Sequence, residues 1–450
     1  TGYKMKEYCG IVGIYNKSEA ANYVYLGLHA LQHRGQEACG IVSTDGVTFY
    51  EYKGYGLVND VFTREAIDSL KGKSAIGHNR YSTHGDDSIG NIQPLFAHFD
   101  MGQIAIAHNG NIINADAIKQ QLVSEGAIFN SNSDTEIIIH LIARSKKDNF
   151  FERLVDALRM LKGAFSLVIM RENELYAIRD PWGFRPLSMG KLDDSTVFAS
   201  ETCAFDLIGA EFLMDVKPGE IVVAGNNGVN HYPDMLEKKA EAKCVFELIY
   251  FARPDSYLWG KNIYSIRKQM GRKLAKEAPV DADIVIPTPD SGVPAALGFS
   301  MESGIPFDFG LIRNHYIGRT FIEPTQSIRH FGVRLKLNPA VDVLKGKRVV
   351  VVDDSIVRGT TSKRIVKMLK GAGAREVHLR ISSPPVISPC FYGIDTPTKR
   401  ELIASSHTPD EIRRYTTADS LAYLSLEGLK EVINDNGYCF ACFDGNYPVK

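Results

Sequence analysis

The chain has 450 residues, 44% of them apolar, and a formal net charge of −1. That length holds about three average domains or two larger ones, and the near-neutral charge gives no electrostatic reason to expect nucleic acid or an anionic membrane as a partner. No apolar run approaches the ~18 residues that a helical membrane span requires.

In chain order, a leader of residues 1–8 precedes Cys9-Gly10-Ile11-Val12-Gly13-Ile14, which opens a short apolar segment. Leu31-Gln32-His33-Arg34-Gly35-Gln36-Glu37 follows a helix-like stretch. Three further strings come next: Gly77-His78-Asn79-Arg80-Tyr81-Ser82-Thr83-His84-Gly85, Ala107-His108-Asn109-Gly110-Asn111 and Ser131-Asn132-Ser133-Asp134-Thr135-Glu136. Taken singly, each has an ordinary explanation. Cys9 could be a packed thiol, Asn109-Gly110 a turn, and Arg80 or Asp134 a surface charge. Short alternating strands, such as 103–107 and 165–170, are expected here among helices. The charged stretch Glu237-Lys238-Lys239-Ala240-Glu241 then separates two patterns, dividing the chain into 9–240 and 241–450.

Beyond that boundary, strands near Ile284, Val349 and Val377 alternate with helices such as 362–370, the pattern of a parallel α/β sheet. Pro287-Thr288-Pro289-Asp290-Ser291-Gly292 follows the strand 284–286, and by itself it reads as a turn. Val349 to Val352 are β-branched without alternation, which suits a strand covered on both faces. Asp353 and Asp354 then fall at the strand's carboxyl end, where open α/β sheets place ligands. Ile365, Val366, Met368 and Leu369 share one face of the next helix, so backbone N–H groups around Gly359, Thr360 and Thr361 make an anion site at its start. The carboxylates would bond ribose hydroxyls, and the threonines and N–H groups a terminal phosphate. A Rossmann dinucleotide site would need GxGxxG here, and it is absent. The last fifty residues are expected mostly to wrap and anchor.

Seven cysteines, an odd number without a secretory signal, argue against a disulfide framework and for a reducing compartment. Cys439-Phe440-Ala441-Cys442 could be redox-active, grip zinc, or hold an iron–sulfur cluster, and spacing alone puts zinc ahead.

Residues 349–361 resemble the phosphoribosyl pyrophosphate (PRPP) motif of type I phosphoribosyltransferases, and the N-terminal strings in their order resemble the N-terminal-nucleophile glutaminases. Together they resemble the glutamine PRPP amidotransferase family. The resemblance implies an αββα sandwich followed by a parallel α/β phosphoribosyltransferase domain. It implies Cys9 as nucleophile with its own α-amine as base, Asn109 and the Gly110 N–H as oxyanion hole, and Arg34, Arg80, Thr83 and Asp134 around glutamine. It assigns PRPP to Asp290, Ser291, Asp353, Asp354, Arg358, Gly359, Thr360 and Thr361, with magnesium near Ser291, Asp353 and Asp354, under a loop spanning 313–336. Lys243-Cys244-Val245-Phe246-Glu247 and Ser388-Pro389-Cys390-Phe391-Tyr392-Gly393 resemble the cluster-bearing branch, which implies a structural [4Fe-4S] centre on Cys244, Cys390, Cys439 and Cys442. Cys39 and Cys203 are expected to be inert. That branch carries a propeptide, so residues 1–8 must be removed before Cys9 can act. The implied activity is glutamine-dependent amidation of PRPP, the first committed step of purine nucleotide synthesis, by a cytoplasmic homotetramer under purine nucleotide feedback. The competing reading is a PRPP- or nucleotide-binding regulator with a blocked glutaminase.

Overall fold

The computed structural model describes residues 8–81, 88–237, 239–315 and 337–450. The leader before Tyr8, Thr83 and residues 316–336 of the expected loop lie outside them.

The N-terminal half is built from two antiparallel sheets. The first has seven strands, in spatial order Glu211–Asp215, Ser188–Leu192, Ser195–Ala199, Tyr8–Tyr15, Ser74–Tyr81, Ala38–Thr44 and Phe49–Tyr55. The second has six: Gly228–Tyr232, Ile221–Gly225, Glu174–Arg179, Gly163–Met170, Gly102–Ile112 and Leu95–Phe99. Ile11, Val42 and Ile76 of the first sheet meet Ala105, Ala107, Val168 and Ala177 of the second in one buried layer. Helices Ala20–Ala30 and Cys203–Ile208 cover the outer face of the first sheet. Helices Ala115–Ser124, Thr135–Arg144 and Phe150–Arg159 cover the second. These four layers are the expected αββα sandwich.

The alternation expected at 103–107 and 165–170 is not what the burial shows. The strands extend to Gly102–Ile112 and Gly163–Met170, and every residue of the latter is buried. A strand between a second sheet and a helical layer has two apolar faces, so it reads as a continuous apolar run.

In the C-terminal half, Ile284–Pro287, Arg348–Asp353, Glu376–Ile381 and Ser420–Tyr423 form a parallel sheet in that order. Val349 to Val352 are all buried, packed on both faces between two hydrophobic layers. The helix Thr360–Gly371 turns Ile365, Val366 and Leu369 into one of these layers, with Met368 at its margin. Ser420–Tyr423 corrects the reading of the tail as mere wrapping. This last segment supplies the sheet's fourth strand, because the edge of Glu376–Ile381 needs hydrogen-bond partners. A short ribbon, Leu311–Arg313 paired with Leu337–Pro339, brackets residues 316–336.

Candidate active sites

Cys9 lies fully buried in Tyr8–Tyr15, directly opposite Arg80 of Ser74–Tyr81. Arg34 follows the helix Ala20–Ala30, and its Nε donates to the Cys9 carbonyl at 3.0 Å. The rest of its guanidinium grips Glu247 at 2.7 and 3.1 Å and also bonds Glu201. Arg34, expected to line the glutamine pocket, makes contacts that fix the backbone carrying Cys9.

Asn109 and Gly110 lie in the facing sheet, opposite Ser166 and Phe165 of Gly163–Met170. Asn109 is fully buried, and neither end of its amide has a hydrogen-bond partner among the described residues. An orphaned buried amide costs about 1–3 kcal/mol and calls for an explanation, and a donor held ready for an oxyanion supplies one. A Cβ on Gly110 would sit 2.1 Å from the Ala164 carbonyl oxygen, so the position excludes any side chain. Asp134 precedes the helix Thr135–Arg144, accepts the Ile112 N–H at 2.8 Å and faces His108 Nδ1 at 3.3 Å. Burial alone would raise its pKa, but these partners hold the carboxyl below its ordinary value. Asp134 is thereby anchored to the strand of Asn109 and Gly110.

The two loops expected around PRPP line one cavity of about 380 Å³, which gathers Thr288, Ser291, Asp353, Asp354 and Arg358 through Ser362. Gly359 adopts φ 73° at the N-cap of Thr360–Gly371, a conformation that favours glycine. This turn presents the first N–H groups of the helix to the cavity. Burial pushes both aspartates above the ordinary carboxylate range, and for Asp353 the adjacent Asp354 adds to it. A cation would reverse that preference. Arg358 is exposed and paired with Glu401 at 2.8 Å. Asp290 does not line this cavity. It lines an adjoining one of about 310 Å³ with His33, Arg253 and Arg267, and it is ion-paired with Arg313 at the base of the ribbon. Both cavities include Tyr250, Ser291 and Asp395.

All four predicted cysteines line a third, apolar cavity walled by Phe184, Phe246, Tyr392, Ile394 and Tyr447. Lys243–Cys244 pairs in parallel with Tyr438–Cys439, and the Cys442 carbonyl accepts the N–H groups of Ile387 and Ser388 at 2.9 and 3.1 Å. Three distant segments are thus tied together. Burial and neighbouring thiols push Cys244 up to about 12 and raise Cys439 and Cys442 as well. Among the described residues, no three His, Cys, Asp or Glu side chains converge as a single metal ion requires. The four thiols share one apolar cavity without forming a metal-ion site among the described residues. Cys39 and Cys203 are buried elsewhere, with burial raising both thiols.

Comparison with known proteins places these sites in a family. Residues 78–206 match the glutamine amidotransferase domain family, and residues 256–382 match the phosphoribosyl transferase domain family. Amidophosphoribosyltransferase of Bacillus subtilis is 50% identical, covering 99% of this chain and 95% of its own. Its counterpart in Methanocaldococcus jannaschii is 50% identical, with 98% of each chain covered. The chain belongs to the amidophosphoribosyltransferase family. The solved B. subtilis glutamine PRPP amidotransferase, in complex with ADP and GMP, superimposes with a TM-score of 0.93 at 49% identity, covering 98% of both chains. A second solved structure, described as the allosteric regulatory enzyme of purine biosynthesis, gives 0.95 at 50% identity, covering 98% of this chain and 96% of its own.

A buried charge network that no motif disclosed lies where the halves meet. Arg34, Arg185, Glu201 and Glu247 are fully buried. Glu201 also accepts from Ser256 Oγ at 2.6 Å and the Arg253 N–H at 2.9 Å, and it faces His33 Nε2 at 2.7 Å. Phe251 lies under both guanidinium groups, 4.5 Å from Arg34 and 5.4 Å from Arg185. Each residue is isolated in sequence, so only the assembled fold reveals the network. No helix among the described residues is long and apolar enough to cross a membrane.

Proposed function

We propose that this chain releases ammonia from glutamine at Cys9 and transfers it within the molecule to C1 of magnesium PRPP, forming 5-phosphoribosylamine, glutamate and pyrophosphate. The observation that carries this reading is the pair of adjoining cavities. One holds Ser291, Asp353, Asp354 and the Gly359 turn, and the other extends from Ser291 to His33, beside the arginine that holds Cys9. A path of that kind favours internal transfer over release of ammonia to solvent.

In the glutaminase half, removal of residues 1–8 frees the Cys9 amine, which accepts the thiol proton as sulfur attacks the carboxamide carbon. The Asn109 amide and Gly110 N–H stabilise the tetrahedral oxyanion. Ammonia leaves, and water hydrolyses the γ-glutamyl thioester. Arg80 receives the substrate carboxylate and Asp134 its ammonium, and the family resemblance assigns Thr83 and Arg34 to the same substrate. In the transferase half, Asp353 and Asp354 bind ribose hydroxyls, and Thr360, Thr361 and the Gly359 turn bind the 5-phosphate with Arg358 at the rim. Ser291 and Asp290 lie by the pyrophosphate. Magnesium that enters with PRPP neutralises the leaving group, and positioning does most of the rest. Cys244, Cys390, Cys439 and Cys442 would hold a [4Fe-4S] cluster, whose role would be structural, joining the start, middle and end of the C-terminal half.

The complex of the B. subtilis relative with ADP and GMP supports purine nucleotide feedback here too. A homotetramer and a cytoplasmic location complete the reading, and the free thiols suit such a reducing compartment. The test is pyrophosphate release from magnesium PRPP by anaerobically purified protein, with glutamine and with ammonium. Release with both is expected of processed enzyme, and release with ammonium alone of a chain that retains its leader. Silence with both would favour the PRPP-binding regulator.

A further inference from the structure

The cysteine-bearing loop after Pro389 reaches across the domain boundary to the back of the oxyanion strand. Asn111 Nδ2 donates to the Phe391 carbonyl at 2.8 Å. Gly393 adopts φ +95°, and a Cβ there would meet the carbonyl carbon, Cα and oxygen of Gly110 at 3.1 to 3.2 Å, so backbone lies on backbone. A second strut approaches the same point from within the glutaminase sheet. Phe165, the strand partner of Gly110, donates its N–H to Asp180 at 3.2 Å, and Asp180 also accepts the Gly183 and Phe184 N–H groups. The Phe184 ring stacks on Tyr392 at 4.0 Å and 16°. Tyr392 is itself pinned by its hydroxyl to the Val449 carbonyl at 2.6 Å and by its N–H to Cys390 Sγ at 3.3 Å. Both struts therefore end on residues 390–393.

We infer that residues 390–393, with Asn111, are positioning residues for the oxyanion hole: the transferase half sets the orientation of the Gly110 N–H and the Asn109 amide through the Asn111–Phe391 hydrogen bond and the Gly393–Gly110 contact. This rests on the reading of Asn109 and Gly110 as that hole. Donors aimed at a developing charge lose effect with small displacements. A glutaminase whose hole is backed by its partner domain is fully competent only when the two are docked. The established requirement on each donor is geometric, and here the geometry is supplied from outside the glutaminase sandwich.

The test uses processed, cluster-loaded enzyme carrying Asn111→Ala or Gly393→Ala. Five quantities are measured: kcat and KM for glutamine, ammonium-dependent pyrophosphate release, visible absorption, and inhibition by the aldehyde analogue of glutamine, which forms a tetrahedral adduct on Cys9. Loss of a whole oxyanion donor costs ~10²- to 10³-fold, so a misaimed one should cost about 5- to 30-fold. The expected result is that fall in kcat with a matching loss of aldehyde affinity, while KM for glutamine, ammonium-dependent release and absorption change less than about twofold. Unchanged kcat and aldehyde affinity in Asn111→Ala would overturn the inference, whatever Gly393→Ala does. An equal fall in both glutamine- and ammonium-dependent activity would overturn it as well. Asn109→Ala separates the two levels: if it loses glutamine turnover while Asn111→Ala does not, only this inference fails, and if it keeps turnover, the underlying assignment of the hole fails.

Discussion

Replacing Glu247 by alanine tests the buried charge network that joins the halves. The network holds two guanidinium groups, Arg34 and Arg185, against two carboxylates, Glu201 and Glu247, all fully buried. Glu247 Oε1 meets both arginines at 2.7 Å, and it is the ion partner of Arg185 among the described residues. Nε and Nη1 of Arg185 have no hydrogen-bond partner there. Glu247→Ala leaves Arg185 unpaired and the network with an uncompensated positive charge. Removing one side of a buried ion pair costs ~3–5 kcal/mol, because the remaining charge has lost both water and its partner. At roughly 2 °C per kcal/mol for larger domains, the melting temperature should fall by about 5–10 °C. Arg34 then has only Glu201 to orient it while it holds the Cys9 carbonyl at 3.0 Å. Glutamine turnover should therefore fall further than ammonium-dependent synthesis. The assays are differential scanning fluorimetry and the two nitrogen-source rates, with visible absorption recorded because Cys244 is close by in the chain. A melting temperature lowered by less than about 1 °C, with glutamine turnover intact, would refute the reasoning.

Three other outcomes follow from local geometry. Gly359→Ala forces a Cβ to about 3.1 Å from Ile403 Cδ1 and 3.2 Å from Tyr415 Cε1 in a left-handed backbone conformation. That strain is worth about 1–2 kcal/mol, and it should appear as a raised KM for PRPP with glutaminase chemistry preserved. Cys442→Ser should abolish iron and sulfide in the purified protein, whereas a colourless protein with stoichiometric zinc in the parent would refute the cluster. Glu136 is held down to about 2, although burial opposes it, by His140, the Asn130 and Ser131 N–H groups and the Ser131 hydroxyl. A depressed carboxyl stabilises the fold above its unfolded pKa of about 4.5, and this contribution fades as pH falls toward 2. Glu136→Gln should melt lower than the parent at pH 7, with the gap narrowing as pH falls from 4.5 to 2.

The sequence made the transferase site more legible than the glutaminase site, for a physical reason. Strand, carboxylates, glycine turn and helix N-terminus are contiguous from Arg348 to Gly371, so local pattern predicts the cavity directly. Cys9 and Arg80 come from paired strands of one sheet, and Asn109 and Asp134 from the facing sheet and its helix, so only their order carried information. The contacts of Arg34 with Glu201 and Glu247 could not be foreseen, because these partners lie 167 and 213 residues away in sequence. Asp290 lines the neighbouring cavity and pairs with Arg313, a contact that no local pattern announces. The cysteine cavity could be foreseen from its thiols, but the contact of Gly393 with Gly110 has no signature in the chain.

Asn109 allows the sharpest separation of stability from catalysis. Its amide is buried without a partner among the described residues, so in the resting enzyme it opposes folding by about 1–3 kcal/mol. A neutral glutamine carbonyl recovers part of that, and the charged tetrahedral oxyanion recovers more, since hydrogen bonds to charged groups are roughly twice as strong. The difference between those two recoveries lowers the barrier, which is why the orphan is useful. Asn109→Ala removes the donor and the desolvated amide together. Glutamine-dependent kcat should drop ~10²- to 10³-fold with ammonium-dependent synthesis unchanged. The melting temperature should stay within about 2 °C of the parent, because the small cavity left behind offsets the relief of the unpaired amide. A variant that melts many degrees lower yet still turns over glutamine would show that Asn109 serves the fold, and that the oxyanion is stabilised elsewhere.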